Sequence, residues 1–162
     1  MANICDFSMV VKGKKENIEQ FMDMMEQKGT VWMGRGATIS FTDMEELENG
    51  MYRCQIEGDT KWSVKSSMVL NAASMRGNPD MWYFGEGVDK TKLFFVTLFE
   101  ACKQLDLAME VYSEECGGGL QEHYLFDEGQ LMIDETVDYT EEYNEETDEY
   151  ETSGGFVWDF EI

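Results

Sequence analysis

One histidine, His123, and one proline, Pro79, are all that this chain of 162 residues contains of either type. A single histidine leaves the four cysteines, Cys5, Cys54, Cys102 and Cys116, without the usual company of a Cys/His zinc site. They are scattered with no C-x-x-C pair and no sign of a secreted, disulfide-stapled scaffold, so reduced thiols are expected. The shortage of proline excludes a Pro-rich linker. The opening MANICDFSMVVKG lacks the basic and apolar regions of a signal peptide. The longest strongly apolar stretch, LFFVTLF at Leu93–Phe99, is far short of the ~20 residues a membrane span needs. A cytoplasmic protein is the expectation. Basic residues are the scarcest group relative to their opposites: 12 Lys and Arg stand against 34 Asp and Glu, for a net charge of −22. That field repels phosphate, which excludes unaided binding to nucleic acid or anionic lipid and favours partners with basic surfaces.

What is present is enough for a folded domain. Apolar residues make up 43% and aromatics 13%, and the length suits one core. Residues 4–12 alternate, with Cys5, Phe7, Met9 and Val11 on one face, which predicts a strand ending at Gly13. Ile18, Phe21, Met22 and Met25 then recur at helical spacing up to Gly29. Residues 30–41 read as a short strand or ordered loop, EELENG as a turn, and MYRCQIEG as a strand burying Tyr52, Cys54 and Ile56. Residues 58–88, rich in Trp and Met, read as a long structured connection. A core helix is expected over Leu93–Leu105, capped by Asp89 or Thr91. LAMEVYSEE, LQEHYLFDEG and QLMIDETVDY are three strand candidates separated by Gly-containing turns. Finally FVWDFEI alternates strictly, and a C-terminal strand docked through Phe156, Trp158, Phe160 and Ile162 is expected. The order predicts an α+β fold with an antiparallel sheet, two helices and the βαββαβ outline of ferredoxin-like domains. It divides into a core at 1–135 and an acidic extension at 136–162 within the same domain.

The opening MANICDF with KGKKENIEQF, the KWSV at Lys61–Val64, and YSEECGGGLQEHYLFDEGQL leading into Gly129 resemble small phage- and plasmid-borne proteins with a YubB-type ferredoxin-like domain. The resemblance covers roughly residues 1–135. It implies that fold and a mobile-element setting in a host bacterial cytosol, and it brings no catalytic motif.

Charge is divided unevenly along the chain. Residues 1–103 hold all 12 bases with 15 acids, whereas residues 104–162 hold 19 acids and no Lys or Arg. Ten acids crowd the 18 residues from Asp134 to Glu151: Asp134, Glu135, Asp138, Glu141, Glu142, Glu145, Glu146, Asp148, Glu149 and Glu151. A helix would space them one per ~2.7 Å and an extended chain one per ~6 Å, against ~1.7 Å along duplex DNA. Tyr139, Tyr143 and Tyr150 lie among them, on one face if the run is helical, where their rings could pack on arginine in a partner. Like-charge pairs such as Glu141–Glu145 oppose a helix, so an extended form stays open.

These thirteen residues form the candidate partner-binding site. The chemistry points to a non-catalytic inhibitor that mimics nucleic acid and occupies the basic groove of a nucleic-acid-handling protein. In broad character the chain is similar to acidic anti-CRISPR proteins, and a CRISPR nuclease is the first expected target. The alternatives are a solvated acidic surface, a mobile-element interaction module using the apolar 58–88 segment, and calcium binding. The run lacks an EF-hand loop, and no cofactor is expected. Gly117–Gly119 has no following Lys-Ser/Thr and is no P-loop. Cys116 with His123, or Glu114 with Glu115, could be imagined as catalytic pairs, but a strand histidine and a strand end facing water account for them more simply.

Overall fold

The computed structural model describes residues 3–28, 31–33, 38–77, 89–115 and 117–162. In chain order the elements are β1 (Ile4–Gly13), α1 (Lys15–Met25), β2 (Val31–Trp32), β3 (Thr38–Phe41), β4 (Glu45–Glu46) and β5 (Tyr52–Lys61). There follow a π-helical turn at Lys65–Leu70 running into α2 (Asn71–Gly77), then β6 (Phe94–Phe95) and α3 (Leu98–Gln104). The chain closes with β7 (Ala108–Glu115), β8 (Leu120–Asp127), β9 (Gln130–Asn144) and β10 (Glu149–Gly154).

Alternation in β1, β5, β7 and β8 creates a sheet with two unlike faces. Cys5, Phe7, Met9, Val11, Cys54, Ile56, Met109, Val111, Tyr124 and Phe126 are buried on one of them. There they meet Ile18, Phe21, Met24 and Met25 of α1 and Leu98, Ala101 and Cys102 of α3. Phe99 stacks on Phe126 at 6.0 Å and meets Tyr124 edge-on at 5.7 Å. A small satellite core joins Trp32, Met75 and Phe95 beside the parallel pair β2–β6.

The fold is α+β, with an antiparallel sheet of eight strands among the described residues, in the order β10-β9-β8-β7-β1-β5-β3, and with β4 also on β5. It carries more strands than the four of a βαββαβ outline. β1 lies between β5 and β7 and is antiparallel to both, with β3 on the far side of β5. Among the described residues three α-helices stand where two were expected.

Local differences have local causes. The core helix begins at Leu98 instead of near Asp89, because Thr97 and Glu100 form a capping box: Thr97 Oγ1 accepts from Glu100 N, and the Glu100 carboxylate accepts from Thr97 N at 3.0 Å. Asp89 instead closes its own turn onto Thr91 N at 3.1 Å. Phe94 points to solvent. Met22 is only partly buried while Met24 takes a core position, and α1 ends at Met25, before Gly29, which lies outside the described residues. The 58–88 connection contains the end of β5 and the helical stretch Lys65–Gly77; its Trp82, Tyr83 and Phe84 lie outside the described residues. Cys5, Cys54 and Cys102 are free and buried. Among the described residues no helix is long and apolar enough to cross a membrane.

Candidate functional site: an acidic ribbon and its strap

The acidic run is neither a helix nor an irregular excursion. It is a β-ribbon. β9 pairs with β8 from Gln130 to Asp138 and then continues past the sheet, where β10 folds back on it through the four-residue turn 145–148. The register sets Glu149 opposite Asn144, Tyr150 opposite Tyr143, Glu151 opposite Glu142 and Thr152 opposite Glu141. The position drawn as the core boundary, 135/136, falls inside β9.

Side-chain alternation divides the acids between two faces. Asp134, Asp138, Glu142, Glu149 and Glu151 share the helix-bearing side. Glu135 and Glu141 share the other with Tyr139, Tyr143 and Tyr150, while Glu145, Glu146 and Asp148 form the tip. All ten carboxylate side chains are exposed. Only Asp134, among the described residues, lies within ion-pair distance of a base, with Lys65 Nζ at 3.7 Å. The tyrosines expected on one helical face do share a face of the ribbon, but with different duties. Tyr139 is buried at the root, its N–H donating to Gly119 O at 2.8 Å. Tyr143 and Tyr150 are exposed and meet edge-on at 5.3 Å. Tyr143 OH donates to the Asp148 carboxylate, which raises the phenol's pKa. Asn144 organises the tip: its Oδ1 accepts from Glu146 N at 2.9 Å and its Nδ2 donates to Glu151 at 2.7 Å. Along roughly 35 Å of ribbon and turn the ten acids provide one charge per ~3.5 Å, against ~3.4 Å for the phosphates of one DNA strand.

After β10 the chain turns at Gly154 and Gly155, both at φ +82, where a Cβ on Gly155 would collide with the Gln121 side chain. Residues 156–162 then lie across the sheet face that carries no helices. The alternation of FVWDFEI holds: Phe156, Trp158, Phe160 and Ile162 are part-buried, and Val157 is 86% exposed. The expected strand does not form, because the segment crosses the strands and has no edge to pair with. Phe156 N donates to Gln121 Oε1 at 2.6 Å on β8, and Tyr112 OH on β7 donates to Asp159 O at 3.0 Å. Glu161 N and Ile162 N donate to Glu110 Oε2 at 2.6 and 3.3 Å, and Arg53 Nε on β5 donates to Ile162 O at 3.1 Å. Tyr112 is the hub. It stacks on His123 at 4.0 Å and on Trp158 at 5.9 Å, and meets Phe160 edge-on at 5.2 Å. Burial, followed by the Glu110 charge, raises the Tyr112 pKa.

No family model matches this chain. No curated protein and no solved structure matches it either.

His123 Nε2 lies 2.8 Å from Glu110 Oε1. Cys116 lies outside the described residues. Glu115 accepts from Asn3 at 2.9 Å and Glu114 from Gln121 at 3.2 Å, both at the end of β7. Sequence reasoning missed Glu110. The available signal was an acid between Met109 and Val111 of a strand, on the same face as Tyr112, in a position where burial demands partners. No group of three or more metal-ligating side chains occurs among the described residues.

Proposed function

We propose that this chain is a non-catalytic inhibitor whose β9–β10 ribbon imitates a nucleic-acid strand and enters the basic groove of a nucleic-acid-handling protein. The observation that carries the reading is the ribbon itself. Ten exposed carboxylates, nine of them without a basic neighbour among the described residues, spread over the two faces and tip of the ribbon at nearly the axial phosphate density of a single strand. Grooves that hold nucleic acid draw much of their affinity from neutralising phosphate, so a fixed row of carboxylates competes for the same Lys and Arg side chains. Tyr143 and Tyr150, exposed at the ribbon's outer half, supply ring faces of the kind on which guanidinium groups stack. A mobile-element origin, suggested by the YubB-type resemblance, makes a host CRISPR nuclease the first target to try.

The test is capture from bacterial lysate expressing such a nuclease with its guide. The baits are the wild type and a variant with Glu141, Glu142, Glu145, Glu146 and Glu149 changed to Gln. Capture by the wild type alone, weakened by salt and competed by single-stranded DNA, is expected. Equal capture by both baits, or indifference to salt, would sink the reading.

A further inference from the structure

Among the described residues the outer ribbon has no third strand. β8 stops supporting β9 at the Leu120–Asp138 pair, and beyond Tyr139 the strands have only each other. An isolated two-stranded hairpin is marginal in water. This one also sets Glu142 directly against Glu151, a like-charge pair that opposes closure. β9 is secured at its root through β8. β10 is the edge strand, with no neighbour on its outer side among the described residues. Its far end is held by what comes next, the segment 156–162.

We propose that this segment is a strap that keeps the ribbon ordered, with Glu110 and Trp158 as positioning residues for a carboxylate array they do not touch. The strap starts at the last residues of β10, is seized at once by Gln121, and is clamped at its other end by Glu110 and Arg53. It passes from β8 to β5, a span of three inter-strand spacings or ~14 Å. With both ends of the ribbon fixed to one rigid sheet, fraying of β10 must strain or release the strap. Without the strap, β10 becomes a free acidic tail, and its repulsion from β9 works unopposed. The strap takes no part in the sheet's ladder, so its loss leaves β1, β5, β7 and β8 paired. Its importance for binding rests on the ribbon being the partner site, since a pre-ordered array loses less entropy on docking. Its effect on ribbon order does not depend on that reading.

Amide hydrogen exchange on the full chain tests it with no partner present. Trp158→Ala removes the stack from the strap side, Glu110→Ala removes the clamp from the sheet side, and Trp158→Phe keeps a ring in place. In the first two variants amides at 140–153 should exchange at least about tenfold faster while those of β1 and β7 stay close to wild type, and Trp158→Phe should restore protection. Unchanged exchange at 140–153 while the strap's own amides open would overturn the proposal. So would a uniform rise across ribbon and core, which would make the strap a support of the whole fold. A five-Gln ribbon variant that still captured its target would defeat the mimicry reading alone and leave this result standing.

Discussion

Glu122 accepts hydrogen bonds from four groups at once: Val64 N at 2.8 Å, Lys65 N at 3.1 Å, Tyr124 OH at 2.7 Å and the Ser113 hydroxyl. It is 2% exposed, and its carboxylate fastens the start of the Lys65–Gly77 helical stretch to the inner face of β8. Glu122→Ala strands buried donors at a cost of ~1–3 kcal/mol each, so a loss of about 3 kcal/mol is expected in urea unfolding. Burial, then the Glu122 charge, also raises the Tyr124 pKa. Cys5, beside the same network, is lifted by burial from 9.0 to about 12, and burial raises Cys102 and Cys54 as well. A thiol whose folded pKa exceeds its unfolded value stabilises the fold below the unfolded value, and that contribution is lost as pH rises. Stability should therefore fall progressively from about pH 9 towards pH 12. At neutral pH, Cys5, Cys54 and Cys102 should resist thiol reagents until the chain unfolds, as peptide mass mapping would show.

At the scale of elements, legibility tracked burial on one face. β1, β5, β7 and β8 could be read from alternation because helices cover one side and the other is more polar. The Thr97–Glu100 capping box was also in the sequence, but a longer apolar run overlaid it, and Phe94 belongs to solvent despite its neighbours. Alternation in FVWDFEI reports two faces without saying whether the neighbour is a strand edge or a sheet surface, and here it is the surface. The ribbon was harder to read because its turn, Glu145-Glu146-Thr147-Asp148, has no Gly or Pro; Asn144 and the positive φ of Asp148 close it instead. Glu151→Lys, which turns the Glu142–Glu151 repulsion into attraction, should slow exchange of the ribbon amides and yet weaken capture of a basic target. Opposite signs from one substitution separate ribbon stability from ribbon function. Replacing Thr97 with Ala should cost about 1 kcal/mol through loss of the cap, with no effect on capture.

The whole molecule carries a net charge of −22, and the end of its sheet that holds ten of the acids works against itself. Screening should relieve the repulsion, so the melting temperature is expected to rise between ~10 mM and ~150 mM NaCl while partner binding weakens. Millimolar calcium should add no more than its ionic strength explains, as parallel melts with calcium and magnesium would show. The same end has a further consequence. β10 presents its outer backbone edge to water, and an open edge is a template for adding strands from other copies. Here any approaching copy brings its own acids to meet Glu149 and Glu151, so the polymerisation that an unpaired edge invites is refused electrostatically. Glu149 and Glu151 therefore work to keep the chains apart in a crowded solution, and a variant neutralised along β10 should form more fibrils or oligomers than the natural sequence.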